Sequence, residues 1–489
     1  MKGLYARFIL LIGFFLFAFY NNLSAQNYID TLFNIEVTPD IEYGKAVNFS
    51  GREINLLMDV ATPQDDTIPA CGRPLIIAVH GGSFIAGTRR DPLPQFWMKS
   101  FAKRGYLAAS IETRLGMFQE NSFIHCQVDG LNGLEWDCLN QTDTLEWYRA
   151  LYRAQQDVKR AIRYFVRNKD IYHINPAAIY LIGESAGSFT VINAAFMDSP
   201  EDKSFESGLL ADVPKPAKEY EGQCIKFYNF DVAIDSMNLS RPDLGNIDGI
   251  SNSQDTGNFR IQGVAGFYGG VLQDIFSHAP AGTLPLLYLF HQPNDLIVPF
   301  NYGLIFQGVS NFFANNFGCS GIYNRPHILG SKGIQTLLLE LGNSGKNIPA
   351  LTTVFTNNYA DDWAQFLDPS KSGHSTQDPW GTGLEVAQLF ASRISDSGCN
   401  SSNIYKHTSN VLSIYPNPAS SILHLNFPDD ANYELQIWNA VGREMLRINK
   451  LNQINATLNI SNLLPGIYFI RAIDLKNLSR VLVNKIIVN

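Results

Sequence analysis

Five residues constrain this chain more than any others: Gly183-Glu184-Ser185-Ala186-Gly187, flanked by the apolar run Ala178–Ile182 and by AGSFTVINAAFM. A short apolar run reads as a buried strand, and the longer segment after it reads as a helix. The chain must therefore reverse within about two residues, with Ser185 at the apex of the turn. Glycines two residues to either side leave room where a side chain would collide with the opposite arm of the bend. Gly-x-Ser-x-Gly between a strand and a helix is the nucleophile-elbow pattern, which presents a serine hydroxyl in a strained, exposed position.

The surrounding sequence repeats the same alternation. Arg73–His80, Tyr106–Glu112, Ala178–Gly183 and Pro285–His291 are continuous apolar runs. Uninterrupted apolarity, as opposed to alternation, suits strands covered on both faces, as in a parallel sheet. Tyr148–Asn168 carries Leu151, Val158, Ile162 and Phe165 at helical spacing, with Arg and Lys on the other side. Strand–helix–strand alternation over roughly residues 40–400 predicts the α/β class. Residues 116–147 and 198–260 are long, rich in Gly, Asn and Asp, and weakly periodic. Such insertions read as lid-like segments near a site.

Both ends differ from this middle. Lys2 and Arg7 precede an apolar run, Phe8–Phe19, followed by the small residues Ser24 and Ala25. That is the layout of a secretory signal over 1–25, and it is too short for a permanent span, which needs about 20 apolar residues. Export makes disulfides admissible for the six cysteines. Cys126 and Cys138, close together in one insertion, are expected to pair, leaving three connectivities for Cys71, Cys224, Cys319 and Cys399. The net charge of −8, with no basic block, gives no support to a nucleic-acid partner. Residues 26–399 are expected to form the catalytic domain and 400–410, polar and rich in Ser and Asn, a linker. Short alternating segments such as Leu423, Leu425 and Phe427 over 411–489 then predict a small β-sandwich.

Activating a serine hydroxyl requires a base and an orienting carboxylate, which follow the elbow in the order acid, then histidine. His407 and His424 fall in the linker and tail, and His291 ends a strand ahead of any acid. His374, in the polar loop SGHSTQDP before a helical stretch, is the favoured base, with His327 in reserve. Asp295 follows the run PLLYLFH in a turn and is the favoured acid over Asp361, Asp362 and Asp378. A turn aspartate also commonly caps the segment after it. His80-Gly81-Gly82-Ser83-Phe84 follows the first long strand, and its small residues suit an oxyanion hole built from the N–H groups of Gly82, Ser83 and Ala186.

HGGSF, ETRLG (Glu112–Gly116), QQDVKRAIRYF (Gln155–Phe165) and GESAG together resemble the carboxylesterase and hormone-sensitive-lipase-like α/β hydrolases. The resemblance spans about 70–195 and, less closely, 260–385. It implies an α/β-hydrolase fold and hydrolysis of a small-molecule or polymer ester through an acyl-enzyme, with no metal or organic cofactor. Two positions depart from that pattern: Ser83 stands at the third glycine of HGGG, and Gln292 follows His291 where Gly is usual. A serine peptidase of the same fold and a catalytically inactive adhesion protein are the alternatives. SIYPNPAS (Ser413–Ser420), LQIWNAVGREML (Leu435–Leu446) and NLLPGIYFIRA (Asn462–Ala472) resemble the sorting domain of the type IX secretion system. That resemblance implies a secretion-machinery partner and delivery to the cell surface or outside a Gram-negative bacterium.

Overall fold

The computed structural model describes residues 28–118, 144–213, 223–224, 238–249, 258–280, 282–317, 325–356, 362–367, 371–394, 412–415, 419–427, 432–439, 443–451, 455–476 and 481–488. Contacts divide the chain into one unit up to Ser401 and a second from Ser402 to Asn489. The expected signal, the linker and the Cys126–Cys138 pair lie outside the described residues. Cys71 is disulfide-bonded.

The first unit is organised by one sheet of eight strands: β1 (Asn34–Val47), β2 (Glu53–Gln64), β3 (Arg73–Val79), β4 (Leu107–Ile111), β5 (Ile174–Glu184), β6 (Ile261–Phe267), β7 (Leu286–His291) and β8 (Leu351–Phe355). Their spatial order is β1-β2-β4-β3-β5-β6-β7-β8. β2 pairs antiparallel with both β1 and β4, and every other pairing in the sheet is parallel. This order, with one strand against the rest, is the α/β-hydrolase topology.

The side-chain period of two explains why the inner strands are apolar throughout. Leu75, Ile77 and Val79 enter one core with Ala109, Ile111 and Leu181, while Ile76 and Ala78 enter the opposite core with Ala108, Tyr180 and Ile182. The unit also contains helices α1 (Pro92–Ala102), α2 (Thr144–Arg167), α3 (Ala186–Phe196), α4 (Gln307–Phe317), α5 (Ser331–Asn343), α6 (Asp362–Leu367) and α7 (Pro379–Ile394). Val158, Ile162 and Phe165 of α2, Val191 of α3 and Ile334 of α5 cover the first core; Trp97 of α1 and Phe390 of α7 cover the second.

Four strands escaped the apolar-run criterion. β1 is exposed along most of its length, β6 is interrupted by Gly263 and Gly266, and β8 is half-buried and carries two threonines. β2 pairs on both edges yet mixes polar with apolar positions.

α2 begins at Thr144, inside a stretch read as loop, and its basic side does not face water. Arg149 donates to the carbonyls of Glu206, Gly208 and Pro242, Gln155 to Ile247, and Gln156 to Leu244 and Asn246. Lys159 donates to Met197 O, and Arg163 to Asp248 O. Among the described residues of the second insertion, the carbonyls of Glu206, Gly208, Pro242, Leu244, Asn246, Ile247 and Asp248 take their donors from the polar face of α2. Met117–Phe118 and Gln223–Cys224 pair antiparallel, joining the two insertions to each other.

In the second unit, β9 (Ser413–Tyr415), β10 (Ile422–Asn426) and β13 (Asn455–Asn459) form one antiparallel sheet. β11 (Tyr433–Asn439), β12 (Glu444–Leu451), β14 (Gly466–Asp474) and β15 (Val481–Val488) form another, in the order β12-β11-β14-β15. Leu423, Leu425, Leu435, Ile437, Ile470 and Ile486 share one core between the sheets, as the period-two pattern requires.

Candidate active site

Ser185 sits between β5 and α3 with φ +51° and ψ −123°, a conformation costly for a residue with a Cβ. The flanking glycines are required by contact. A Cβ on Gly183 would lie 2.3 Å from Gly187 O, and one on Gly187 would lie 2.3 Å from Val79 O. Both obstacles are backbone, so neither can swing aside.

Parallel strands end on the same edge of the sheet, which brings the loops after β3, β5, β6 and β7 together. Ser185 Oγ lies 2.8 Å from His374 Nε2, and His374 Nδ1 lies 2.7 Å from Asp295 Oδ2. With Nδ1 facing a carboxylate, that nitrogen carries the hydrogen, and Nε2 is left to accept from the serine. The His374 ring also meets the edge of Tyr268, with centroids 4.6 Å apart.

Asp295 has both of the fates open to a turn aspartate. Oδ1 accepts the N–H groups of Ile297 (2.8 Å) and Val298 (3.0 Å), capping the turn, while Oδ2 faces His374 and, at 3.1 Å, His291 Nε2. Burial pushes its carboxyl upward, but the charge of His374 and the hydrogen bonds from His291 and His374 outweigh burial and hold it well below the usual carboxylate range.

The loop after β3 is strained over three consecutive residues: Gly82 (φ +103°), Ser83 (φ +54°) and Phe84 (φ +62°). Gly82 O accepts from Ile85 and Ala86, and Phe84 O from Gly116, so the carbonyls point into the protein. Among the described residues the N–H groups of Gly82 and Ser83 have no acceptor, and that of Ala186 opens a helix, where first-turn donors are free. Gly81 is the close neighbour of the elbow, since a Cβ there would lie 3.1 Å from Ser185 Cβ. Buried His80, its ionisation suppressed by desolvation, holds the loop through Nδ1 and Gly81 O at 2.7 Å.

The other sequence candidates stand elsewhere. His327 is exposed and stacked on Tyr302. Asp378 caps α7 through Gly381 N–H, Asp362 opens α6, and Asp361 lies outside the described residues.

Several residues of the site escaped the sequence reading. Gln292 donates to Ser375 O at 2.8 Å, and Gln365 donates to Asn294 O while accepting from Gly373 N–H. These two amides tie the histidine loop to the acid loop. Tyr268 OH donates to Glu184 at 2.7 Å. Burial pushes the Glu184 carboxyl above its ordinary range, against the opposing bond from Tyr268 and the charge of His374. The Gln292 position was marked only by its departure from glycine; the other contacts are distant in sequence and left no local signal. Among the described residues, no cluster of three or more His, Cys, Asp or Glu side chains could hold a metal ion, and no helix is long and apolar enough to cross a membrane.

Esterase 2 of Thermogutta terrifontis phosphoramylated by tabun is a similar solved structure, 16% identical over 74% of this chain and 94% of that one, with a TM-score of 0.36. Esterase B from Lactobacillus rhamnosis, inhibited by a tributyrin phosphonate, is 13% identical over 73% and 85%, also at 0.36. No curated protein matches the chain. Residues 413–489 match the family model described as a secretion system C-terminal sorting domain. The tail is thus a type IX sorting domain, and the chain carrying it is exported to the cell surface or beyond.

Proposed function

We propose that this chain is a secreted serine hydrolase of carboxylic esters, working through an acyl-enzyme. The observation that carries the reading is the unbroken hydrogen-bond chain Ser185–His374–Asp295, with its serine on a strained bend. In this reading His374 Nε2 takes the Ser185 proton as Oγ attacks the ester carbonyl. Asp295 holds the ring in the required tautomer and stabilises the imidazolium. The N–H groups of Gly82, Ser83 and Ala186 receive the oxyanion, each donor being worth about 3–4 kcal/mol of barrier in comparable sites. As the tetrahedral species collapses, the C–O bond breaks and His374 returns the proton to the leaving alkoxide. Water then repeats the cycle: it loses a proton to His374, attacks the acyl carbonyl, and releases the acid and free Ser185.

The division of labour proposed with it is an export signal over 1–25, catalysis over 26–399, a linker over 400–410 and sorting over 411–489, where the secretion machinery is the partner. The substrate is an ester met outside the cell, small or polymeric.

The test is labelling with a fluorophosphonate, together with turnover of a short-chain p-nitrophenyl ester, on the wild type and Ser185→Ala. Labelling and turnover are expected in the wild type, and loss of both in the variant. Turnover surviving in Ser185→Ala overturns the reading; labelling without turnover of any ester points to peptide substrates.

A further inference from the structure

His291 is fully buried at the end of β7, four residues before Asp295, and its contacts fix the position of its hydrogen. Ser331 N–H approaches Nδ1 at 3.4 Å, and Ser331 Oγ lies 3.0 Å from the same nitrogen. A backbone N–H can only donate, so Nδ1 is the acceptor and the hydrogen is on Nε2. That N–H points at Asp295 Oδ2 (3.1 Å) and, more weakly, at Val298 O (3.2 Å). Phe300 closes the ring from the side, edge to face at 5.5 Å. One carboxylate oxygen therefore receives two imidazoles, one buried and held, the other, His374, at the mouth of the site.

We propose that His291 is a positioning residue for the reaction, a neutral imidazole whose Nε2–H fixes Asp295 Oδ2 and tempers the negative charge that this oxygen presents to His374. The inference rests on the Ser185–His374–Asp295 reading. Geometry supports it in two ways. Ile297 and Val298 fix Oδ1 and so locate one end of the carboxylate; the His291 N–H fixes the other and sets its rotation about the Cβ–Cγ bond. Ser331 is the first residue of α5, so the donor that selects the His291 tautomer belongs to a packed helix and does not move with a loop. Among the described residues, the charged and titratable groups facing His374 and Asp295 are His291, Glu184 and Tyr268.

Taking the donor away concentrates charge on the face of Asp295 turned to His374, which holds the protonated ring more tightly. The acid limb of kcat/KM then moves to higher pH, and the less constrained carboxylate lowers kcat. Binding of substrate, which His291 does not touch, is unchanged.

The experiment compares His291→Gln, whose amide extends about as far as Nε2, with His291→Asn, which stops short of Asp295, and His291→Met, which fills the space without a donor. All are measured on the full secreted chain beside Ser185→Ala. Expected for Asn and Met is a loss in kcat of about 10- to 100-fold, the range for a lost bond to a charged group, at unchanged KM and with the acid limb raised. The Gln variant is expected to keep kcat within about threefold. Should Met not fold, the Gln–Asn difference decides, since both bury an amide and only one reaches the carboxylate. Equal kcat and an unmoved acid limb in Asn and Gln overturn the inference while Ser185→Ala stays inactive. Activity in Ser185→Ala would instead bring down the underlying reading.

Discussion

Replacing Asp295 by asparagine probes the whole arrangement, because the carboxylate accepts four hydrogen bonds and donates none. Its Oδ1 receives Ile297 and Val298 N–H at 2.8 and 3.0 Å; its Oδ2 receives His374 and His291 at 2.7 and 3.1 Å. An amide has one acceptor end and one donor end. Turning the NH2 toward the two backbone N–H groups sets donor against donor, and the backbone cannot change its protonation. The amide oxygen therefore stays on the turn and the NH2 faces the imidazoles. His291 cannot answer by turning over its tautomer, because Ser331 N–H already uses its Nδ1 lone pair. His374 can: its Nδ1 becomes the acceptor, its Nε2 acquires the hydrogen, and the nitrogen facing Ser185 can no longer take a proton. In a triad this tautomer change costs about 10⁴ in kcat, which is about 5 kcal/mol of barrier. The assay is kcat on a short-chain p-nitrophenyl ester beside a circular-dichroism check of folding, with Asp378→Asn as a control expected to keep full activity. An Asp295→Asn enzyme retaining more than about a tenth of wild-type kcat would show that this carboxylate does not set the tautomer.

Two further outcomes follow from the same geometry. Gly187→Ala drives a Cβ to 2.3 Å from Val79 O and 2.6 Å from His80 O, so the end of β3 and the loop after it must shift. Fluorophosphonate labelling is expected to slow at least about 100-fold, because misplacement by an ångström costs that much; labelling at the wild-type rate would refute the contact. Glu184→Gln keeps an acceptor for Tyr268 but removes a half-buried acid whose folded pKa is raised. Such a group contributes stability below its unfolded value of about 4.3 that is lost as pH rises through the folded value. The variant's gain in Tm over the wild type is therefore expected to grow between about pH 4 and pH 8. A gain that does not change with pH would count against the burial argument.

Which parts were readable from sequence follows from how far apart in the chain the deciding groups lie. The elbow was readable because strand, turn glycines and helix are contiguous, and the inner strands because burial on both faces leaves only apolar residues. His374 was reached by elimination, and its distance from Ser185 is a property of two loops 189 positions apart. His291 was set aside because it precedes the acid in order, whereas in space it lies against that acid from behind. The sequence placed Arg and Lys on the side of α2 opposite its apolar stripe, but not their partners, which are carbonyls of the second insertion 50 or more positions away.

By itself, then, the sequence determined the class of fold, the bend that raises Ser185 and the tail that exports the chain, all of them written in short-range patterns of size and polarity. Only the tertiary structure decided which imidazole meets the serine, which second imidazole shares its carboxylate, and how Gln292 and Gln365 bind one loop to another. Hydrogen bonds act over about 3 Å whatever the separation along the chain, and linear order carries no record of that approach until the sheet has gathered its loops on one edge.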